Sequence, residues 1–243
     1  MKGLILAGGH GTRLHPTTKV INKHLLMIYD KPMIFYPIMA LRDAGIKDIV
    51  LTLGENEQEN QRFFELLRGG QELGVNLTYH CHGEPKGIAH AIYSAREEIG
   101  DEKFVVHLGD NIFTTGLFDI IDDWGWQHSD ESIIIVKDIP KKSAYGVANI
   151  EKTLTGSIKF KGVHEKSLTP PTNYAVLGAY LLQPTFFTKF EEQTPSGRGE
   201  YEITDSINML YPEVKFYNSP WFDCGTFEDI YKASEWRRGC VLG

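Results

Sequence analysis

The sequence has few cysteines, no excess of basic charge and no long apolar run, and each shortage excludes a class of protein. Its three cysteines are Cys81, Cys224 and Cys240. The odd number, the irregular spacing and the lack of a CxxC pair predict reduced thiols rather than disulfides or a structural zinc site. The net charge of −7 argues against nucleic acid or an anionic membrane as a partner, because both favour a basic surface.

The apolar runs are short. No stretch approaches the roughly 20 apolar residues that a membrane span needs, and the run at residues 4–7 is too short for a signal-peptide core and leads directly into glycines. We therefore expect a cytoplasmic protein. A length of 243 residues with 42% hydrophobic residues is typical of one large α/β domain or two small ones.

The first half of the chain alternates short apolar runs with helix-like segments. The predicted strands cover residues 4–7, 48–53, 77–81 and 104–108, and the predicted helices cover 32–44, 56–68 and 88–99. Such alternation is typical of a mostly parallel sheet flanked by helices. Ligands bind such sheets outside the carboxyl ends of the strands. The glycine-rich strand ends at Gly8 and Gly109 are therefore the expected site.

The second half predicts a smaller mixed β excursion laid over this sheet. Its predicted strands cover residues 132–136, 145–150, 156–163 and 175–182, and its predicted helices cover 184–191, 203–210 and 227–237. Neither a repeat nor a linker interrupts the sequence, so a single domain over residues 1–243 is expected.

The loop Gly8 to Arg13 follows the first strand and contains three glycines. Glycines allow successive N–H groups to converge on an anion, and Arg13 adds a forked cation. The loop is neither a Walker A motif nor a dinucleotide fingerprint, because Leu14 stands where the third glycine belongs. From the glycines alone, a plain tight turn remains an alternative. The segment His80 to His82 is interpreted as part of a strand rather than as a zinc site.

The residues around this loop extend the pattern. Together with the segments Gly3 to Lys19, Asn22 to Leu26 and Tyr29 to Ile34, they resemble the opening of the glucose-1-phosphate thymidylyltransferase family. Further segments that resemble the family's motifs cover residues 85–91, 108–111, 145–147, 165–166, 173–176, 199–205 and 221–226. The resemblance thus covers most of the chain, and its long ordered match is far more specific than a glycine loop.

The resemblance implies a Rossmann-like nucleotidyltransferase fold, with residues 1–138 mainly binding the nucleotide and 139–243 mainly binding the sugar. It implies an enzyme of NDP-sugar and polysaccharide biosynthesis that transfers a nucleotidyl group from a nucleoside triphosphate to a sugar 1-phosphate. The default substrates are dTTP and glucose 1-phosphate, Mg²⁺ is the cofactor, and a homo-oligomer is expected. The alternatives are UTP, GTP or CTP with another sugar, a non-catalytic sugar-nucleotide-binding module, and a nicotinamide-dependent oxidoreductase, which the missing third glycine disfavours.

Site residues follow from the matched motifs. The resemblance implies catalytic roles for Arg13, Lys23 and Asp110, and a metal site at Asp110 and Asp223. The implied nucleotide-binding residues are Leu6, Ala7, Gly8, Gly9, Gly11, Thr12, Arg13, Lys23, His82, Pro85, Gly87 and Asp110. The implied sugar-phosphate-binding residues are Asn111, Gly146, Glu165, Lys166, Val176 and Trp221. Read in isolation, the two aspartates could be turn residues, Lys23 a surface lysine, and Glu165 and Lys166 an exposed charge pair.

Three positions depart from the family pattern. Met27 and Ser167 stand where the family has prolines, and His82 stands where thymidylyltransferases usually place a glutamine against the base. A neutral imidazole has its donor and its acceptor on opposite sides of the ring, so it cannot copy the bidentate contact of an amide. His82 therefore predicts a relaxed or shifted choice of base.

Overall fold

The computed structural model describes residues 1–84, 86–126, 130–139, 145–152 and 158–242. Its centre is a nine-stranded sheet in the order β10-β9-β11-β6-β1-β4-β5, to which β8 and β12 are added beside β11. The strands of this sheet are β1 (Lys2–Leu6), β4 (Asp48–Leu53), β5 (Asn76–Cys81), β6 (Phe104–Leu108), β8 (Ile133–Asp138), β9 (Gly146–Lys152), β10 (Ile158–Glu165), β11 (Tyr174–Leu182) and β12 (Glu213–Phe216).

Parallel pairing dominates the half of the sheet that carries the glycine-rich strand ends. Strand β1 pairs in parallel with β4 on one side and with β6 on the other, and β4 pairs in parallel with β5. Strand β11 runs antiparallel to β6, β8 and β9. The predicted α/β class, with a mainly parallel sheet flanked by helices and a mixed β excursion, is confirmed.

Helices cover both faces of the sheet. They are α1 (Phe35–Asp43), α2 (Glu57–Leu67), α3 (Ile88–Ser94), α4 (Arg96–Ile99), α5 (Phe118–Trp126), α6 (Thr185–Glu191), α7 (Ile203–Leu210) and α8 (Phe227–Leu242). Side chains alternate along β1, so Ile5 packs into the cluster beneath α1, α2 and α5 while Leu4 and Leu6 pack into the cluster beneath α3, α6 and α7. Because both faces of the sheet centre are buried, the central strands β4, β6 and β11 are almost wholly apolar rather than alternating.

Two short sheets complete the fold. Strands β2 (Met27–Ile28) and β3 (Lys31–Pro32) form one, and β7 (Asn111–Phe113) and β13 (Trp221–Asp223) form the other. A third apolar cluster, built from Ile28, Met33, Ile112, Cys224 and Ala233, packs α8 against them. Within the described ranges, no helix is long and apolar enough to cross a membrane.

The structure differs from the predicted elements at several places, and the short strands β2, β3, β7, β12 and β13 were not predicted. Pro32 lies in β3 rather than in the first turn of α1, because the chain first turns back to pair with β2. The helix predicted over 88–99 is divided at Ala95 into α3 and α4. Helix α5 was not predicted from its glycine- and aspartate-containing sequence. The assignment of residues 1–138 and 139–243 to two functional halves stays a prediction.

Candidate active site

A cleft of about 770 Å³ lies across the carboxyl ends of the parallel strands. This volume is typical of a small-molecule site. Residues that follow β1, β5 and β6 line one part of it, and residues of β9, β10, β11 and β13 line the rest. The loop after β1 contributes Gly8, Gly9 and Gly11, and Gly11 has a φ of +60°. That left-handed conformation suits glycine, since a Cβ there would be strained.

Lys23 and Asp110 form an ion pair at the centre of the cleft. The lysine stem passes Gly11, where an added Cβ would lie 3.3 Å from Lys23 Cβ. Burial by itself would raise the pKa of Asp110, but the charge and hydrogen bond of Lys23 and the amide of Asn111 hold that pKa below its usual range. Asp110 is therefore a carboxylate, with Lys23 as its counter-ion.

Asp223 supplies a second carboxyl group beside the first. Strand β13 pairs with β7 so that Asp223 lies opposite Asn111, and the Cys224 N–H donates to the carbonyl of Asp110 at 2.9 Å. Burial, and then the negative charge of Asp110, raise the pKa of Asp223 to about 7. Burial is the larger of these two causes, and the positive charges of Lys23 and Arg13 oppose both. The Arg13 guanidinium lies against Gly225, since an added Cβ at Gly225 would lie 2.5 Å from Nη2.

Asn111 fixes the orientation of the Asp110 carboxylate through hydrogen bonds. Its Oδ1 accepts from the Gly178 N–H at 3.1 Å and from Trp221 Nε1 at 2.9 Å, and its Nδ2 donates to Asp110 Oδ1 at 2.9 Å. The Trp221 ring also contacts the Tyr145 ring edge-on, with centroids 5.6 Å apart. Asn111 and Trp221 thus link three strands around one carboxylate.

The end of the cleft nearest β9 and β10 is polar and charged. Gly146 leaves space beside Glu165 and Thr204, because an added Cβ would lie 3.3 Å from Glu165 Oε2 and 2.9 Å from Thr204 Cγ2. Lys166 has a φ of 44°, its N–H donates to the Tyr145 carbonyl at 3.2 Å, and its Nζ lies 3.5 Å from Glu165 Oε1. Both residues line the cleft, and the Lys166 side chain is 48% exposed, so their role at the sugar phosphate stays a prediction.

The opposite end of the cleft is formed by His82 and the start of α3. His82 follows β5, its N–H donates to the Leu53 carbonyl at 3.1 Å, and its ring lies against Gly8, where a Cβ would overlap Nε2. Burial lowers the pKa of His82, so its imidazole is neutral near pH 7. His80 is separate from the cleft, with Nδ1 2.7 Å from Glu98 and Nε2 3.1 Å from Ser94.

Comparison with known proteins decides the family. The model of the nucleotidyl transferase family matches residues 2–237. The chain belongs to the nucleotidyl transferase family. The predicted enzyme class, a sugar-1-phosphate nucleotidyltransferase, is confirmed at this level, and a non-catalytic module or an oxidoreductase is not favoured.

Relatives of known name and solved structure support the same assignment. The chain is 37% identical to glucose-1-phosphate thymidylyltransferase of Mycolicibacterium smegmatis, over all of this chain and 84% of that protein. It is 38% identical to the enzyme of that name from Mycobacterium tuberculosis H37Rv, over 98% and 82%. A candidate glucose-1-phosphate thymidylyltransferase from Bacillus anthracis superimposes with a TM-score of 0.89 at 34% identity, covering 98% and 95% of the two chains.

A UDP-glucose pyrophosphorylase, solved in complex with UDP-glucose, has a TM-score of 0.86 at 28% identity, and 98% of each chain is covered. The family fold therefore accommodates proteins named for different bases.

The structure gathers nearly all of the predicted site residues of this nucleotidyl transferase into the one cleft. Those that line it are Leu6, Gly8, Gly9, Gly11, Thr12, Arg13, Lys23, His82, Gly87, Asp110, Asn111, Gly146, Glu165, Lys166, Val176, Trp221 and Asp223. Ala7 is fully buried beneath the loop, and its N–H donates to the Thr52 carbonyl at 2.9 Å. Pro85 lies outside the described residues. The roles of these residues stay predictions.

Several cleft residues were not predicted as site residues. They include His24, Tyr145, Gly178, Glu200, Glu202 and Thr204. Three of them lie in the segment 199–205, whose motif could have indicated them, whereas Gly178 has no local signal because only the fold brings β11 beside Asn111. Thr204 Oγ1 is buried and has no hydrogen-bond partner among the described residues.

Proposed function

We propose that this nucleotidyl transferase joins the nucleotidyl group of dTTP to glucose 1-phosphate and releases pyrophosphate. In this reaction an oxygen of the sugar phosphate attacks the α-phosphorus, and the bond from that phosphorus to the pyrophosphate breaks. The attacking oxygen is already anionic, so the protein supplies neither a nucleophile nor a general base. Catalysis then depends on in-line positioning and on neutralisation of charge.

The observation that carries the proposal is the division of the cleft into two ends around a charged centre. The centre holds Lys23, Asp110 and Asp223. One end is lined by Leu6, Ile88, Ala91 and the neutral His82, which suits a flat base. The other end is lined by Glu165, Lys166 and Thr204, which suits the hydroxyls and phosphate of a sugar phosphate. The reacting phosphates would then meet at the centre.

The two carboxyl groups fit a magnesium ion. The pairing of β13 with β7 brings the Asp223 carboxyl group beside that of Asp110 in a buried place, where a divalent cation would favour the ionised form of both. Among the described residues, His, Cys, Asp and Glu form no group of three or more that could hold a metal. This fits Mg²⁺, which typically binds one or two carboxylates and takes its other ligands from substrate phosphates and water. Bound there, the ion would supply charge neutralisation at the phosphates.

The protein's own cations have distinct proposed roles. Lys23 reaches the centre from beside the glycine loop, where it would stabilise charge on the transferring phosphoryl group and on pyrophosphate. Arg13, beside Gly225, would add a forked contact to the same phosphates. Lys166 would bind the phosphate of the sugar. Two further expectations, that the protein is cytoplasmic and forms a homo-oligomer, stay predictions.

A second candidate is the same reaction with relaxed base choice, so that UTP is also used. It is favoured by His82, whose Nε2 lies beside Gly8 while its Nδ1 is buried with no hydrogen-bond partner in the part of the chain that the structure describes. A single ring nitrogen offers one hydrogen bond and would discriminate poorly between related pyrimidines.

A panel of dTTP, UTP, CTP and GTP against several sugar 1-phosphates, scored by pyrophosphate release with Mg²⁺, tests both candidates. We expect the highest kcat/KM with dTTP or UTP and glucose 1-phosphate. Release of pyrophosphate with none of the pairs would contradict the proposed function. A strong preference for CTP or GTP would contradict the proposed base.

A further inference from the structure

The buried side chain of Asn22, directly before Lys23, organises the turn that carries the lysine. Asn22 is the N-cap of the 3₁₀ turn Lys23–Leu25. Its Oδ1 accepts from the backbone N–H of His24 at 3.0 Å and lies 2.7 Å from His24 Nδ1. Since a carboxamide oxygen only accepts, His24 Nδ1 carries a proton and donates it. One oxygen therefore fixes both the backbone and the ring of His24.

The amide nitrogen of Asn22 connects this turn to two other elements. Nδ2 donates to Glu59 Oε2 at 3.0 Å, and it lies 3.5 Å from the carbonyl of Ala7. Glu59 belongs to the first turn of α2, and Ala7 follows β1 directly. Asn22 is only 7% exposed, so its hydrogen bonds are shielded from water and their loss would be costly.

Lys23 lies in the chain between Asn22 and His24, whose positions these hydrogen bonds fix. Its carbonyl accepts from the Leu26 N–H at 3.0 Å, and the carbonyl of His24 accepts from the Ile34 N–H at 2.9 Å. A lysine stem is flexible and ends in a point charge. The position of its ammonium group therefore depends on where the backbone starts the stem, and Asn22 sets that starting point.

We propose that Asn22 is a positioning residue, which acts through His24 and Glu59 to hold the Lys23 ammonium against Asp110. This inference rests on the proposed function, because it takes Lys23 to act on the reacting phosphates. Asn22 touches neither substrate nor metal in this account, and its whole effect on the reaction passes through Lys23.

Asn22→Asp tests the proposal with almost no change of shape. The new carboxylate still accepts from His24, but it faces the Glu59 carboxylate and repels it. We expect kcat to fall about tenfold to a hundredfold, the size of effect that a small misplacement of a reacting group produces. Adding Glu59→Gln places an amide donor opposite the introduced carboxylate and returns the net charge to that of the wild type. We expect kcat of this double variant to recover to within about threefold of the wild type.

Asn76→Asp is the matched control. Asn76 Nδ2 donates to Asp48 Oδ1 at 2.9 Å, at the amino ends of β5 and β4 and far from the cleft. This change creates the same contact between like charges. It should lower the melting temperature and leave kcat unaltered.

A double-mutant cycle with Lys23→Ala separates positioning from general stability. In the Lys23→Ala background, Asn22→Asp should change kcat by less than about twofold, because the group through which it acts is gone. An equal loss of kcat in both backgrounds would overturn the proposal, as would a lower melting temperature with normal kcat.

Crystal structures of the wild type, Asn22→Asp and Asn22→Asp/Glu59→Gln give a readout that needs no turnover. The ion pair of Lys23 and Asp110 should be present in the wild type, lost in Asn22→Asp and present again in the double variant. A pair retained in Asn22→Asp would overturn the proposal. If the wild type shows the pair but releases no pyrophosphate with any substrate pair, the proposed function fails while the positioning role is still decided by these structures.

Discussion

The two carboxyl groups at the centre of the cleft, on Asp110 and Asp223, are the residues on which the metal assignment rests. Asp110→Asn or Asp223→Asn removes one unit of charge from a site that has two carboxylates. We expect each variant to lower the rate of pyrophosphate release about a hundredfold or more and to raise the Mg²⁺ concentration required, because the cation that orients the phosphates is held more weakly. Titration of the rate with Mg²⁺ measures both effects. Near-normal rates in both variants would refute the metal assignment.

The two lysines of the cleft should affect different kinetic constants. Lys23→Ala should lower kcat more than it weakens substrate binding, if Lys23 meets charge that develops during transfer. Lys166→Ala should chiefly raise the KM for the sugar 1-phosphate. Initial rates with each substrate varied in turn give these constants. Equal effects of both variants on both substrates would contradict the division of roles.

His82 should influence the choice of base. His82→Gln supplies a donor and an acceptor from one rigid amide, which can pair with the N3–H and O4 of thymine or uracil. We expect the ratio of kcat/KM for dTTP to that for UTP to rise. His80→Gln is the control, because His80 is held by Glu98 and Ser94 outside the cleft. An unchanged ratio in His82→Gln, in a wild type that already rejects UTP, would show that His82 does not read the base.

At the scale of elements, the strands and helices of the first half could be predicted closely from the sequence. Strand β4 has the predicted bounds, and α2 lies within one residue of them at each end, with Asn56 as its cap. These elements are long, apolar or well capped, so local signals suffice. Strands β7 and β13 have only three residues each, and they pair with each other although about a hundred residues separate them in the chain. The sequence near either strand has no local signal for this pairing.

The placement of the site residues was likewise only partly predictable. The motifs indicated Asp110 and Asp223 by residue type, and the sheet explains Asp110, which follows β6. Their proximity, by contrast, depends on the β7–β13 pair. Gly178 was missed because burial and tertiary contact, rather than its neighbours in sequence, bring it to the cleft, whereas Thr204 lies in the segment 199–205, whose motif could have indicated it.

One tertiary ion pair joins α8 to the turn between β2 and β3. Arg237 donates to both carboxylate oxygens of Asp30, at 2.8 and 2.9 Å. These hydrogen bonds, with a further one from Lys31, hold the pKa of Asp30 below its usual range. A lowered folded-state pKa stabilises the protein above the unfolded-state pKa of about 3.9, and this contribution is lost as the pH falls further.

Asp30→Asn should therefore lower the free energy of unfolding by about 1 kcal/mol or less at neutral pH, since the pair is partly exposed. Urea unfolding of the wild type and of Asp30→Asn should give the same difference in the free energy of unfolding at pH 7 and pH 5, and a smaller difference at pH 3. Asp43→Asn, whose partner is the adjacent Arg42, should have a smaller effect at neutral pH. A difference that grows towards acid would contradict the role of Asp30.

At the scale of the whole molecule, the sheet explains why one cleft can serve two substrates. Parallel strands β5, β4, β1 and β6 bring their carboxyl ends to one edge, which builds the proposed nucleotide site. Strands β9, β10 and β11 extend the same sheet and bring Gly146, Glu165 and Val176 to the far end of the cleft. The proposed transfer then takes place where the two parts meet, at Lys23, Asp110 and Asp223.

At this meeting point, in the proposed function, a nucleotidyl group passes between two bound substrates with the help of a metal. The most direct measurement is the stoichiometry of products after incubation with dTTP or UTP, glucose 1-phosphate and Mg²⁺. We predict that one NDP-sugar is formed for each pyrophosphate released, and that omitting the sugar phosphate or adding EDTA abolishes both. Pyrophosphate released equally fast without the sugar phosphate, or tight binding of an NDP-sugar without turnover in either direction, would contradict the account.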